Sequence, residues 1–280
     1  MKEEILANET GIRLVCFLGI FVSMILWEFM APRRERSVSR WMRWPSNLGI
    51  VAFNAVVLRV LFPVAAVGLS VLSEDKGWGL LNVFDLPSLL AVVLSVVLLD
   101  LAIYLQHVMF HAVPALWRLH RMHHTDLDFD VTTGTRFHPV EILLSMGIKL
   151  AVVAALGPPM VAVLIIEILL NASSMFNHGN VSIAPKVDSV LRLFVVTPDM
   201  HRVHHSILPH ETNSNFGFNL PWWDRLFGTY ISQPKNGHNG MTIGVEQFNA
   251  PRELWLDRML IQPFLGEVGN YPINRRGDRR

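Results

Sequence analysis

Two stretches of this 280-residue chain repeat one spacing. Residues 119–124 read LHRMHH and residues 200–205 read MHRVHH. A third set, His107 and His111, is HxxxH. On a helix, residues three and four apart share a face, so each set presents two or three imidazoles together. Neutral imidazole is a good ligand for iron, copper, nickel and zinc. His107, His111, His120, His123, His124, His201, His204 and His205, with His178, are too many for one tetrahedral zinc. They suit two metal ions. No HExxH occurs, which disfavours a zincin-type protease. A lone histidine is usually a surface residue or a satisfied core group, and His210 and His238 are placed there. His138, in TRFHPVE, can be a ligand, an outer partner of a ligand, or the residue that opens a helix before Pro139.

The elements that hold these residues are apolar. The chain is 51% hydrophobic and 17% charged, too oily for an ordinary soluble domain. A net charge of +1 gives no case for nucleic acid. The single cysteine, Cys16, excludes a disulfide framework and a thiolate metal site. About 20 apolar residues cross a bilayer. Residues 12–30, 50–72 and 86–106 are such runs, and the first has no small-residue cleavage site after it, as expected of an uncleaved anchor. Residues 140–176 are too long for one span. Gly157-Pro158-Pro159 divides them into a hairpin of helices at 140–156 and 160–177.

Charge orients the spans. Arg33, Arg34, Arg36, Arg40 and Arg43 fall in 31–49, while 73–85 holds three acids and one lysine. The positive-inside rule makes the arginine loop cytoplasmic, so 107–139 and 178–280 are cytoplasmic too. All twelve histidines lie in those two segments, a placement independent of the charges that orient the chain. The expected fold is all-α: a polytopic membrane helical bundle with a cytoplasmic histidine-rich di-metal cap. Two polar stripes recur at intervals of four, three and four: Asp100, Tyr104, His107, His111 and Glu167, Asn171, Ser174, His178. Intramembrane polar groups are costly and usually face an interior. Both stripes are expected there, with Asp100 orienting a ligand imidazole or serving ordinary interhelical bonding. Lys149 and Glu167 flank Pro158 by nine residues each, so the hairpin should bring them together. Arg59 is also mid-span, with Asp100 as a weaker candidate partner.

The chain resembles the fatty acid hydroxylase/sterol desaturase superfamily of membrane di-iron proteins. The resemblance covers 95–232 and rests on DLAIYLQHVMFH, LWRLHRMHHTD, TRFHPVE, the NHGN around His178, TPDMHRVHHS and ETNSNFGFNLPWWDRLFGTY. It implies anchor helices over 1–94, a catalytic domain over 95–232 and a cytoplasmic tail over 233–280. It also implies two iron ions, dioxygen as co-substrate and a lipid substrate, fatty acyl or sterol-like. The metal ligands implied are the nine histidines above. Some relatives carry another histidine four residues after the one matched by His178. Ser182 stands at that position, so Asn180 or a water is expected to complete that shell. Asn215 and Gly217 suit a turn, and Asp224 pairs with Arg225 or a ligand histidine. The reaction expected is hydroxylation of a lipid C–H bond, with desaturation at the same site as the alternative. A histidine-rich metal-binding protein or transporter is the rival from another class. Transporter sites usually sit near the bilayer midplane, where this chain has no histidine. Nothing resembles a fused haem or flavin module, so a separate electron donor (a reductase, ferredoxin or cytochrome) is expected. The membrane is the bacterial inner membrane or the endoplasmic reticulum. The 31–49 loop and the RRGDRR tail can meet anionic headgroups or an acidic donor, or simply follow the positive-inside bias.

Overall fold

Long apolar runs without charge leave the backbone no partner in hydrocarbon except itself, so they fold as helices. A computed structural model describes residues 2–62, 65–84 and 86–274. The long helices are α1 (Lys2–Met30), α2 (Arg40–Leu61), α4 (Ser88–Ala112), α6 (Pro139–Leu156) and α7 (Met160–Asn177), with a short α3 (Ala66–Lys76) between α2 and α4. Among the described residues, five segments are long and apolar enough to cross a membrane. Shorter helices complete the order: α5 (Pro114–His124), α8 (Pro185–Leu191), α9 (Pro198–His204), α10 (Pro209–Thr212), α11 (Trp222–Leu226), α12 (Gly237–Gly240) and α13 (Leu256–Ile261). Among the described residues, strand-like pairing is limited to two isolated bridges, Pro32–Val181 and Ser206–Ile243.

The second run differs from its expected bounds of 50–72. Helix α2 starts at Arg40 and ends at Leu61. Phe62 leaves the helical region (φ −124°, ψ 74°) before Pro63, as the residue before a proline tends to do. Helix α3 then packs at the far end of the hairpin. Ser70 Oγ donates to the Pro158 carbonyl at 2.7 Å. There Gly79 and Gly157, both at positive φ, approach so closely that a Cβ on either would lie 2.2 Å from backbone of the other segment. The expected hairpin is otherwise in register: Lys149 Nζ meets Glu167 Oε1 at 2.8 Å, and Arg13 of α1 meets Oε2 at 3.0 Å. Arg59 is exposed and has no part in this; Asp100 has other partners.

Two apolar clusters fasten the bundle. Val67, Leu99, Val153 and Val163 join α3, α4, α6 and α7, and Met24 packs with Met175 to join α1 to α7. The outward faces stay apolar, with Leu14, Leu18, Val56, Val60, Leu89 and Val93 exposed, as lipid contact requires. The arginines of 31–49 are mostly spent inside the protein. Arg33 pairs with Asp199, Arg40 with buried Glu28, and Arg43 with both Asp126 and Asp130 at 2.6 Å; Arg36 is exposed. Buried guanidinium needs carboxylate partners, and these pairs close the end of the bundle where α1, α4 and α7 finish. The RRGDRR tail lies outside the described residues.

Candidate metal centre

Helix α4 runs past its expected end, so His107 and His111 sit on its last turns. Helix α5 starts at Pro114, whose fixed φ suits a first helical turn, and carries His120, His123 and His124. Thr197 caps α9, accepting from the Met200 N–H at 3.4 Å, and α9 presents His201 and His204, with His205 at its end. His178 follows α7. The nine rings converge and are 5% exposed or less.

They divide into two groups. His107, His111, His120, His124 and His204 bring one nitrogen each within 4.8 Å of one another; His123, His178, His201 and His205 do the same. Each HxxHH motif therefore serves both groups. The pairs four residues apart, 120/124 and 201/205, stay together. His123 and His204 cross over.

Partners on the outer nitrogens decide which nitrogen is free. His107 Nδ1 donates to the Phe216 carbonyl at 2.7 Å, His123 Nδ1 to Arg136 at 3.1 Å, His178 Nδ1 to Ser174 at 2.8 Å and His204 Nδ1 to Ser214 at 2.7 Å. A carbonyl only accepts, so each Nδ1 holds the hydrogen and each Nε2 keeps a lone pair. His111 Nδ1 meets Asn213 Oδ1, and His120 Nδ1 meets Glu141 Oε1 at 2.6 Å. The inner nitrogens then face one another: His107 and His120 Nε2 are 3.1 Å apart, as are those of His123 and His178. Two lone pairs at that distance repel unless they share a cation. The buried Nε2 atoms of His111, His124, His201 and His204 have no hydrogen-bond partner. An all-imidazole donor set with its lone pairs turned inward fits metal ions of the nitrogen-preferring type.

Electrostatics agree. Burial, with the neighbouring imidazoles, pushes His123, His124, His204 and His205 well below the ordinary imidazole range. Burial does the same to His201, and takes His178 down to about 3. All six are neutral at physiological pH and available as ligands. Phe137 stacks on His123 at 4.6 Å, Phe216 lies 5.0 Å from His111 and Phe218 5.4 Å from His107, forming an apolar wall.

Other expected site residues stand elsewhere. His138 opens α6: Nδ1 accepts from the Val140 N–H and Nε2 donates to the Leu260 carbonyl, so neither nitrogen is free for a metal. Asn180 spends its side chain on the Arg34 backbone, at 3.0 and 2.9 Å, and its N–H on Glu28. It ties α1 to the His178 turn and is not among the grouped residues. Ser182 N donates to the Ala31 carbonyl in the same tie. Asp100 meets no imidazole; it accepts from Asn219, the Leu220 N–H and Trp223. The first polar stripe is buried throughout, but Asn171 of the second is exposed. Asp224 pairs with neither Arg225 nor a histidine. It accepts from the Phe216 and Gly217 N–H groups and from Thr229, and so fixes the carbonyl that holds His107. Asn215 takes the left-handed region at φ +50°, and its side chain bonds the backbone of Met200 and Ile231.

Residues 92–229 match the family described as Fatty acid hydroxylase. This segment of the chain is a fatty acid hydroxylase domain. Among its relatives, the ornithine lipid hydroxylase OlsE of Rhizobium tropici is 32% identical over 53% of this chain and 44% of that protein. The alkylglycerol monooxygenase of Xenopus tropicalis is 28% identical over 72% of this chain and 45% of that protein. The fatty acid hydroxylase vlmA of a Lecanicillium species is 24% identical over 75% and 60%. The chain thus spans less than half the length of the first two. No solved structure matches it. The family segment ends at Thr229, whose hydroxyl donates to Asp224. Two positions that matter to the centre were not assigned from sequence. Glu141 was legible only as part of TRFHPVE. Gly134 packs where a Cβ would lie 2.3 Å from the Ser174 carbonyl that holds His178.

Proposed function

We propose that this chain is a membrane di-iron, dioxygen-dependent oxidoreductase that hydroxylates a C–H bond of a lipid. The observation that carries the reading is the pair of buried imidazole groups, with outer nitrogens tied down and inner lone pairs facing each other, at one end of membrane-length helices. The five-histidine group would hold one iron and the four-histidine group the other. When bound, an iron pair supplies dioxygen reduction and the oxidising power that an unactivated C–H bond requires, which side chains lack. The chain's own part is positional. The acceptors at Phe216, Asn213, Glu141, Arg136, Ser174 and Ser214 orient six rings, and ligand orientation of this kind normally governs metal affinity. Phe216, Phe218 and Phe137 keep water from the rings and offer an apolar surface to an alkyl chain.

Ornithine lipid, alkylglycerol and fatty acid relatives support an acyl- or alkyl-chain lipid as substrate, in preference to a sterol. Electrons come from a separate reductase, ferredoxin or cytochrome. The centre faces the cytoplasm, because the arginine-bearing 31–49 loop closes the histidine end and positive charge favours that side.

The test is expression of the chain in a host, with total lipid extracts compared by accurate mass and His204→Ala as control. A lipid gaining one oxygen only with the intact chain is the expected result. A lipid losing two hydrogens would make it a desaturase with the same centre. Purified protein without iron would overturn the reading, and metal flux in vesicles would then favour transport.

A further inference from the structure

Residues 219–229 do not stay with the cap. Asp100 lies midway along the 25 residues of α4, and it accepts from Asn219, Leu220 and Trp223. One turn closer to the histidines, Tyr104 stacks on Phe227 at 5.5 Å and hydrogen-bonds Thr229. The segment therefore runs down the flank of an apolar helix of spanning length, to about mid-depth. Three of its exposed side chains are large and apolar: Trp222 by 45%, Leu226 by 69% and Phe227 by 52%. Trp222 Nε1 donates to the Leu193 carbonyl at 2.7 Å, which joins the segment to the end of α8. There Val187, Val190 and Phe194 are exposed as well. Water is a poor neighbour for so many exposed large apolar side chains, and a bilayer is a good one.

The same two short helices turn a polar side inward. Asp188, Ser189 and Arg192, with Arg225, line a recess of about 440 Å³ that also receives Arg33, Asp199 and His238. Three arginines face two carboxylates there. Arg192 is 4% exposed; its Nη1 donates to the Ser232 carbonyl, its Nε meets Asp188, and its Nη2 has no hydrogen-bond partner. Arg225 is exposed and reaches over the Tyr230 ring. Guanidinium with a free edge at the rim of an apolar face is suited to phosphate.

We propose that α8 and the 219–229 segment form a wedge seated in the leaflet at the histidine end, and that the recess beside it takes the phosphate of an anionic bilayer lipid. The inference rests on the membrane reading under Proposed function, though not on iron or oxidation.

The test uses the full chain in nanodiscs of phosphatidylcholine and phosphatidylglycerol, in a Cys16→Ser background. Nitroxide labels are placed by Leu226→Cys, Leu90→Cys on exposed α4, and Lys235→Cys on the cap. The Leu226 label should resemble the Leu90 label, relaxed several-fold more by oxygen than by an aqueous nickel chelate. A Leu226 label that behaves like the Lys235 label overturns the wedge. A water-exposed Leu90 label overturns the membrane reading itself and the wedge with it, so the two failures are distinct. Native mass spectrometry should show phosphatidylglycerol retained over phosphatidylcholine. Arg192→Ala and Arg225→Ala should reduce that adduct several-fold, and Arg192→Lys should restore part of it; an unchanged thermal midpoint confirms that the variants are folded. Equal retention of both lipids, with inorganic phosphate bound in their absence, would make the recess a soluble-anion site and overturn the lipid assignment.

Discussion

The two histidine groups are built from the same ligand and differ in what stands behind it. In the five-histidine group the outer partners come from α6 and the 213–216 turn: Glu141, Asn213, Ser214 and Phe216. In the four-histidine group they are the backbone carbonyls of Arg136 and Ser174. One group has a carboxylate at its back and one imidazole to spare. The other has neutral dipoles and none to spare. Identical donors can thus be given different charge and redundancy by the loops that support them.

The largest expected effect is that of His178→Ala. It removes one of four imidazoles, the one donated by the end of α7, while the Ser174 carbonyl keeps the backbone N–H of residue 178. Loss of an outer partner alone typically costs about 10–100-fold in metal affinity, so loss of a direct ligand should cost more. Iron bound by the purified variant should fall to half that of the intact chain, with lipid oxidation abolished. His111→Ala, taken from the five-histidine group, should retain more iron. Equal losses in the two variants would mean that the groups do not differ in redundancy.

Glu141→Gln comes next. The amide keeps an oxygen for His120 Nδ1 but not the charge. A drop of about 10–100-fold in metal affinity or turnover is expected, confined to the five-histidine group. Mössbauer spectra should show one iron population perturbed and the other unchanged. Changes in both populations would contradict the assignment of the carboxylate to one group.

Helix geometry explains why the grouping was only partly legible in the sequence. At 100° per residue, positions i and i+4 diverge by about 40°, while i+3 lies about 60° to the other side. The shared face of HxxHH is visible from spacing, and so is the coherence of 120/124 and 201/205. That His123 and His204 cross to a second group depends on α5 and α9 facing each other across the cap, which no local period records. The hairpin register was legible because Pro158 set it and Lys149 and Glu167 measured it. The partners of Asp100 were not, since Asn219 is 119 residues away in an irregular segment. The break at Phe62 was missed because apolar composition continues across it, although Pro63 was the available signal.

A smaller effect should appear in the response to acid. In the iron-free chain, six imidazoles beyond the spans have folded-state pKa values pushed down by burial, His178 to about 3. The unfolded chain takes up protons near its ordinary value of about 6.5, where the folded chain does not. Stability is therefore fully present above that value and is lost as pH falls toward the folded values. The thermal midpoint of iron-free protein should drop steadily between pH 7 and pH 5 (about the unfolded histidine range). His178 is one of these six, whereas Glu141→Gln removes no imidazole. His178→Gln should therefore flatten the profile more than Glu141→Gln does. A profile flat in all three proteins would mean that the cap is already open to protons.

The smallest effect is expected of Lys149→Met, far from either group. Glu167 would lose a partner at 2.8 Å but keep Arg13 at 3.0 Å, so its buried charge remains compensated. Removing the only partner of a buried ion typically costs 3–5 kcal/mol, and a retained second partner should hold the loss to about 1 kcal/mol. The methionine stem replaces the apolar part of the lysine in the same lipid-facing position. Iron content and both Mössbauer populations should be unchanged, with only a slightly lower thermal midpoint. If the variant instead loses iron from the four-histidine group, the path must run along α7 from Glu167 to His178. The stem charge would then set the position of that histidine, and the contrast between the groups would begin in the membrane instead of in the loops behind the rings.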